Sequence, residues 1–256
     1  MITIYDWIGY EIPIKERYQL IKKAGFDGVL MWWSSDFGRG DDYRNGPKYA
    51  AEAGLLIENI HTPILCQNNL WLDNQDGETV FDTYMQCISD CKEFAIPTMV
   101  VHLPNDEHPY NELGLSRVKK MAEKAEQLGI NIAMENLWNI KNLSYILKNI
   151  DSKRVGYCYD ACHHFNNKEA GDLLALYGDR LMALHLHDNK GVNNQHQLPF
   201  DGDIDWTDVM KKIVGTGYQG ATALEPMNWD YHEITPEEFF QKAVKVARRL
   251  DMLRKE

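Results

Sequence analysis

Hydrophobic and polar positions follow two rhythms along this chain. Short runs rich in β-branched and apolar residues fall near 2–7, 28–33, 56–62, 97–103, 131–137, 154–160, 181–187 and 221–227, and each reads as a strand. Between them lie longer stretches in which apolar residues recur three or four apart among charges. The stretches 14–24, 80–94, 115–128 and 236–253 are examples, and they read as amphipathic helices. Several strands are apolar on both faces, as parallel strands covered by helices are. Ala24-Gly25-Phe26-Asp27-Gly28 before the second strand and Thr216-Gly217-Tyr218-Gln219-Gly220 before the eighth look like one helix-to-strand joint used twice. Eight strand-plus-helix units predict an α/β fold, a single (β/α)8 TIM barrel occupying 1–256 as one domain.

The rival for alternating strands and helices is an open doubly wound sheet, which carries a glycine-rich phosphate loop after its first strand. Here that position reads Asp6-Trp7-Ile8-Gly9-Tyr10. Polar residues also gather after nearly every strand rather than at one switch point, as a barrel requires.

Composition narrows the function classes. A hydrophobic share of 44% suits a sizeable core, and no apolar run approaches the roughly 18–20 residues of a membrane span. The N-terminal segment enters a strand at once with no basic-then-apolar leader, so a cytoplasmic protein is expected. Five cysteines without a disulfide-framework spacing are expected to be reduced thiols, those near Asp160 serving as packing residues. The formal net charge of −11 disfavours a nucleic-acid partner, because such binding draws on clustered Lys and Arg.

The chemistry gathers at strand ends. Strand five ends Met134-Glu135-Asn136 and strand eight Leu224-Glu225-Pro226, so two carboxylates close the barrel from different sides. Such a pair can hold a divalent ion and move protons on and off adjacent carbons. Strand six ends Tyr159-Asp160-Ala161-Cys162-His163. That spacing suits a ligand followed by a second ligand or substrate-oxygen binder; a helix N-cap Asp with an exposed His is the plainer reading. Strand seven, Leu184-His185-Leu186-His187-Asp188, puts His185 and His187 on one inward face by period-two alternation. His61 and His102 end strands three and four and are each either ligands or structural. His196, in the loop after strand seven, is the weakest candidate ligand. Trp7, Trp32, Trp33, Trp138 and Trp229 stand at or just beyond strand ends, where an aromatic wall for a small polar ligand would form.

Glu135-Asn136-Leu137, Asp160-x-x-His163, His185-Leu186-His187-Asp188-Asn189-Lys190 and Glu225-Pro226, in this order, resemble the xylose isomerase-like superfamily, which includes ketose 3-epimerases, inosose dehydratase and endonuclease IV. The resemblance covers essentially the whole chain. It implies one divalent ion (Mn, Mg, Co or Zn) on Glu135, Asp160, a strand-seven histidine and Glu225, a proton relay between the two glutamates, and His163 on a substrate oxygen. Aligned on the H-L-x-D pattern of endonuclease IV the strand-seven ligand is His185; aligned on the H-x-H pattern of the epimerases it is His187, and the following Asp188-Asn189-Lys190 favours His185.

Likeness to endonuclease IV also implies metal roles for His61, His102, His163 and His196, with Asn194 standing where an aspartate would complete a third site. No Arg occurs between His187 and Gly202 to match the substrate-gripping arginine of the epimerases. The resulting expectation is a metal-dependent isomerase or epimerase of a small sugar, polyol or keto-sugar, phosphorylated or not, with Trp32, Trp138, Trp229, His163 and His187 contacting substrate. A zinc-dependent phosphoester hydrolase and a dehydratase on the same metal site are the alternatives. A sugar-like small molecule is the expected partner, with no membrane, and homo-oligomerisation stays open.

Overall fold

The computed structural model describes residues 1–35, 43–105 and 108–255. Eight parallel strands, β1 (Ile2–Tyr5), β2 (Gly28–Trp32), β3 (Leu56–His61), β4 (Thr98–Val101), β5 (Asn131–Glu135), β6 (Val155–Asp160), β7 (Leu181–His185) and β8 (Thr222–Leu224), lie in the order 7-6-5-4-3-2-1-8. The ladder closes one residue beyond β7. Leu186 donates its N–H to the Ala223 carbonyl at 3.0 Å and accepts from the Glu225 N–H at 3.2 Å. The helices are α1 (Ile14–Ala24), α2 (Gly46–Ala53), α3 (Gln75–Glu93), α4 (Glu112–Leu128), α5 (Ile140–Asn149), α6 (Ala161–Asn166), α7 (Leu173–Tyr177), α8 (Trp206–Gly215) and α9 (Pro236–Leu253). The architecture is a single (β/α)8 TIM barrel.

Local chemistry sets the helix ends. The apolar periodicity predicts a third helix from residue 80, but α3 begins at Gln75, because Asn74 accepts the Gly77 N–H at 3.0 Å and starts the helix before its apolar stripe does. Asn111 starts α4 three residues ahead of Leu115 in the same way. Gly25 (φ +105°) ends α1 in the left-handed region, and Gly217 (φ +77°) takes up the same conformation two residues beyond α8. Helices α6 and α7, at 6 and 5 residues, are too short to show a period in sequence.

Period-two alternation divides the buried side chains. Ile132 and Met134 of β5 join the large core under the helices, whereas Ala133 packs with Val100, Cys158 and Ala183 in a small cluster of its own. Glu135 shares the inward face with Ala133, so the strand that fills the barrel with a small side chain lifts a carboxylate to its mouth. Among the described residues no helix is long and apolar enough to cross a membrane.

Candidate metal centre and substrate cavity

The C-terminal strand ends and the segments that follow them bring nine of the candidate residues together. Glu135 is the last residue of β5, Asp160 of β6, His185 of β7 and His61 of β3, while His102 and Glu225 follow β4 and β8 directly. Glu135, Asp160, His185 and Glu225 are all buried, and one ligand atom from each lies within 4.8 Å of the others. His61, His102 and Glu135 form a second such group, so Glu135 belongs to both. His187, His196 and Glu225 form a third. His163, on α6, faces Glu135 Oε1 through Nδ1 at 3.3 Å.

Three imidazole nitrogens converge on a single carboxylate oxygen. Glu135 Oε2 lies 3.0 Å from His185 Nδ1, 3.1 Å from His102 Nε2 and 3.5 Å from His61 Nε2. His185 Nδ1 is also 3.2 Å from Glu225 Oε2. Yet Glu135 Oε2, His102 Nε2 and His185 Nδ1 make no hydrogen bond of acceptable geometry, although all are buried. Orphaned buried polar atoms are costly, and so many around one point need an explanation. A tetrahedral ion with bonds of ~2.0–2.2 Å holds its ligands roughly 3.3–3.6 Å apart, close to the spacings seen here. The donor set of imidazole and carboxylate suits a divalent ion from magnesium to zinc.

The strand-seven histidines have different surroundings. His185 belongs to the four-residue group, whereas His187 Nε2 lies 2.7 Å from Asp160 Oδ2 and its ring stacks on His196 at 3.9 Å. Both are fully buried, and neither lines the cavity above. His196, a loop residue, is half-buried: its Nδ1 lies 3.1 Å from the Glu225 carbonyl.

Charge couples these groups. Burial pushes the Glu135 carboxyl upward, but His102 and His185 beside it prevail and hold it well below the usual range. Asp160 is lowered by His163 and His187 against the same burial cost. Burial lowers the imidazoles in turn. Asp160 and Glu135 outweigh that for His163, which rises to about 9, while His102 and His196 stay lowered, His196 also by the charge of His187. Glu225 is raised, chiefly by burial and by the nearby Glu135 charge.

Polar neighbours of the ligand candidates hold them in place. Asn136 Oδ1 accepts from the Tyr157 hydroxyl at 2.7 Å and the Asp160 N–H at 2.8 Å, and its Nδ2 donates to the Asp160 carbonyl at 2.9 Å. Asp160 Oδ1 caps α6 by accepting the His163 N–H at 2.6 Å, so the plain N-cap role coexists with the contact to His187. Asp188 accepts four N–H groups, from Asn189, Phe200, Ile204 and the Trp206 indole at 2.7–3.1 Å, and so shapes the loop that presents Asn194 and His196. Cys158 and Cys162 are fully buried beside the ligand candidates. The Cys158 thiol lies within 4.8 Å of Glu135 and His185 ligand atoms, and the Cys162 Sγ accepts from Asn189 Nδ2 at 2.6 Å. Each thiol also interacts with one strand-seven imidazole, Cys158 with His185 and Cys162 with His187. The signal for this pairing was the four-residue spacing of the cysteines set against the two-residue spacing of the histidines, which only the strand-to-helix turn makes meaningful.

A cavity of about 690 Å³ opens above the centre. Glu135, Glu225, His61, His102, His163 and His196 line it together with the amides of Gln67, Asn105, Asn193 and Asn194, and Trp7, Trp32, Trp138 and Trp229 stand around it. Trp33 does not. It is the residue after the inward Trp32, so alternation turns it outward, where it is 1% exposed and its indole N–H donates to Asp90 at 2.8 Å.

Comparison with known proteins bears on this geometry. The family model described as xylose isomerase-like TIM barrel matches residues 18–252. An uncharacterized protein, y4fM of Sinorhizobium fredii, is 36% identical over 98% of this chain and 94% of its own length. Fructoselysine 3-epimerase of Shigella flexneri is 21% identical over 93% of this chain and 94% of that protein. A probable endonuclease 4 of Mycoplasma capricolum is 24% identical over 58% of each. Among solved structures, a D-tagatose 3-epimerase-like protein superposes with a TM-score of 0.77 at 21% identity, covering 100% of this chain and 99% of that one.

Proposed function

The chain belongs to the xylose isomerase-like TIM barrel family, and from that premise we propose that it is a divalent-metal-dependent isomerase or epimerase of a small sugar, polyol or keto-sugar. The observation that carries this reading is the placement of His185 Nδ1 between the Oε2 atoms of Glu135 and Glu225, at 3.0 and 3.2 Å, beneath a cavity both glutamates line. Glu135, Asp160, His185 and Glu225 would hold the ion, which when bound supplies Lewis acidity toward vicinal substrate oxygens.

The chain's own residues supply the rest. One glutamate takes the proton from a carbon next to the carbonyl, and the other returns a proton to that carbon or its neighbour, since the two carboxylates reach the substrate from β5 and β8. His163 lines the cavity beside Glu135 and would donate to the oxygen on which negative charge develops. That the relative from Shigella flexneri is called an epimerase supports the reaction class.

Deuterium uptake tests the proposal. Incubating the metal-loaded protein in D2O with a panel of ketoses, aldoses and inososes is expected to label at least one of them at a carbon adjacent to its carbonyl. Uptake by none would contradict it. The second reading, a phosphoester hydrolase, is favoured by the His61–His102–Glu135 group, which offers a second ion position sharing Glu135. It predicts nicking of abasic duplex DNA at low salt, which the first reading does not.

A further inference from the structure

The cavity has two tiers of unlike chemistry. Its floor is imidazole and carboxylate. Its mouth carries indole and aliphatic side chains, with Trp138, Trp229 and Leu65 39%, 45% and 53% exposed and Ile64 and Met227 beside them, alongside the amides of Gln67, Asn105, Asn193 and Asn194. Trp33, Trp71 and Trp206, elsewhere in the fold, are buried to 1–3% exposure. Indoles left facing water around one opening form an apolar patch of the kind that marks a ligand groove. His196 packs edge-on to Trp229 at 5.4 Å between ring centres, which ties the rim directly to the floor.

Charge at the mouth is as informative. Among the described lining residues none is Lys or Arg, and the ionisable groups are Tyr5, the histidines and the two glutamates of the floor. From the described lining residues a phosphate or carboxylate at the outer end of a substrate would gain only neutral amide donors, and no cation, for the water it sheds. Size points the same way. A cavity of about 690 Å³ falls in the range of roughly 300–1,000 Å³ that encloses drug-sized ligands, and a single hexose leaves much of it unfilled.

Resting on the isomerase or epimerase reading, we infer that the substrate is an uncharged conjugate of a keto-sugar, with its carbonyl-bearing sugar ring on the polar floor and an aromatic or apolar aglycone stacked against Trp138 and Trp229, for which phenyl glycosides serve as binding probes. The indoles recognise the aglycone's face and the floor recognises the sugar's oxygens, so neither half alone fills the site.

Binding separates this inference from the reaction on which it rests. Calorimetric titration of the metal-loaded protein would use the free sugars, 6-phosphates and phenyl glycosides of glucose, galactose and mannose. At least one phenyl glycoside is expected to bind ~10-fold or more tighter than its free sugar, from two aromatic contacts of about 0.5–1.5 kcal/mol each, and no 6-phosphate to bind tighter than its free sugar. Trp138→Ala and Trp229→Ala should each erode the ratio of glycoside to free-sugar affinity, with metal content per folded chain unchanged. Circular dichroism would verify their fold. Equal binding of all three forms, absence of binding by all three, preference for a phosphate, or a preference that survives both substitutions would overturn the inference. Deuterium uptake reads the chemical step separately: labelling of a free ketose without any glycoside preference leaves the reaction standing and removes the conjugate. Glycoside preference without labelling does the reverse.

Discussion

The two ends of the barrel treat buried polar groups in opposite ways. At the N-terminal end Arg180 donates to the carbonyls of Leu147, Ile150, Ser152 and Val155, and Arg254 to those of Tyr218 and Gly220. Fixed cations there absorb orphan acceptors at helix and loop ends. At the C-terminal end His102, His185 and Glu135 crowd around one point with no acceptable hydrogen bonds among the facing atoms. At the first end each named carbonyl is paired, although the buried Tyr218 hydroxyl makes no acceptable hydrogen bond. The second leaves facing donors and acceptors unpaired around one point, where the ligand candidates converge.

The largest effect expected from breaking this contrast is at Glu225. Glu225→Gln should retain the metal on Glu135, Asp160 and His185 but lower the deuterium-uptake rate by ~10²–10⁴-fold, because an amide takes no proton. Its melting temperature should stay within a few degrees of the parent's. Unchanged uptake would remove the glutamate relay.

Arg180→Met should do the opposite. Orphaning several carbonyls at the other end is expected to cost about 2–4 kcal/mol, a fall in melting temperature on the order of 5–10 °C by calorimetry, with metal content per folded chain unchanged. A loss of metal in that variant would show that the ends are not separable.

The smallest effect sharpens the comparison within one residue type. Cys158→Ala removes the thiol beside His185 and should weaken metal binding by ~10-fold in a chelator competition, since groups behind a metal-bound imidazole fix its orientation. Cys91, equally buried but set against the Thr98 carbonyl under α3, is the control. Cys91→Ala should move the melting temperature and leave metal affinity alone. Equal affinity in both variants would reduce Cys158 to a packing residue.

Sequence rhythm made the barrel and the ring of strand-end ligand candidates legible for one reason. Each strand presents a single side chain to the mouth, and a His, Glu or Asp after an apolar run marks it. Glu135 and His185 are readable in that way. What escaped depends on distance in space rather than position in a strand. The side on which Trp33 falls turned on one step of alternation. Asp188 is one more polar residue after His187 until its four N–H partners, from Asn189 to Trp206, are folded around it. The choice between His185 and His187 was open because both face inward. Depth separates their surroundings, His185 meeting both glutamates and His187 meeting Asp160 and the ring of His196.

The central claim, a metal-dependent proton transfer at the C-terminal mouth, is tested most directly by deuterium uptake into a labelled sugar before chelation, after chelation and after restoring manganese, magnesium, cobalt or zinc. The account predicts that uptake disappears with the metal and returns with at least one of the four ions. Uptake that continues undiminished in the metal-free protein would contradict it.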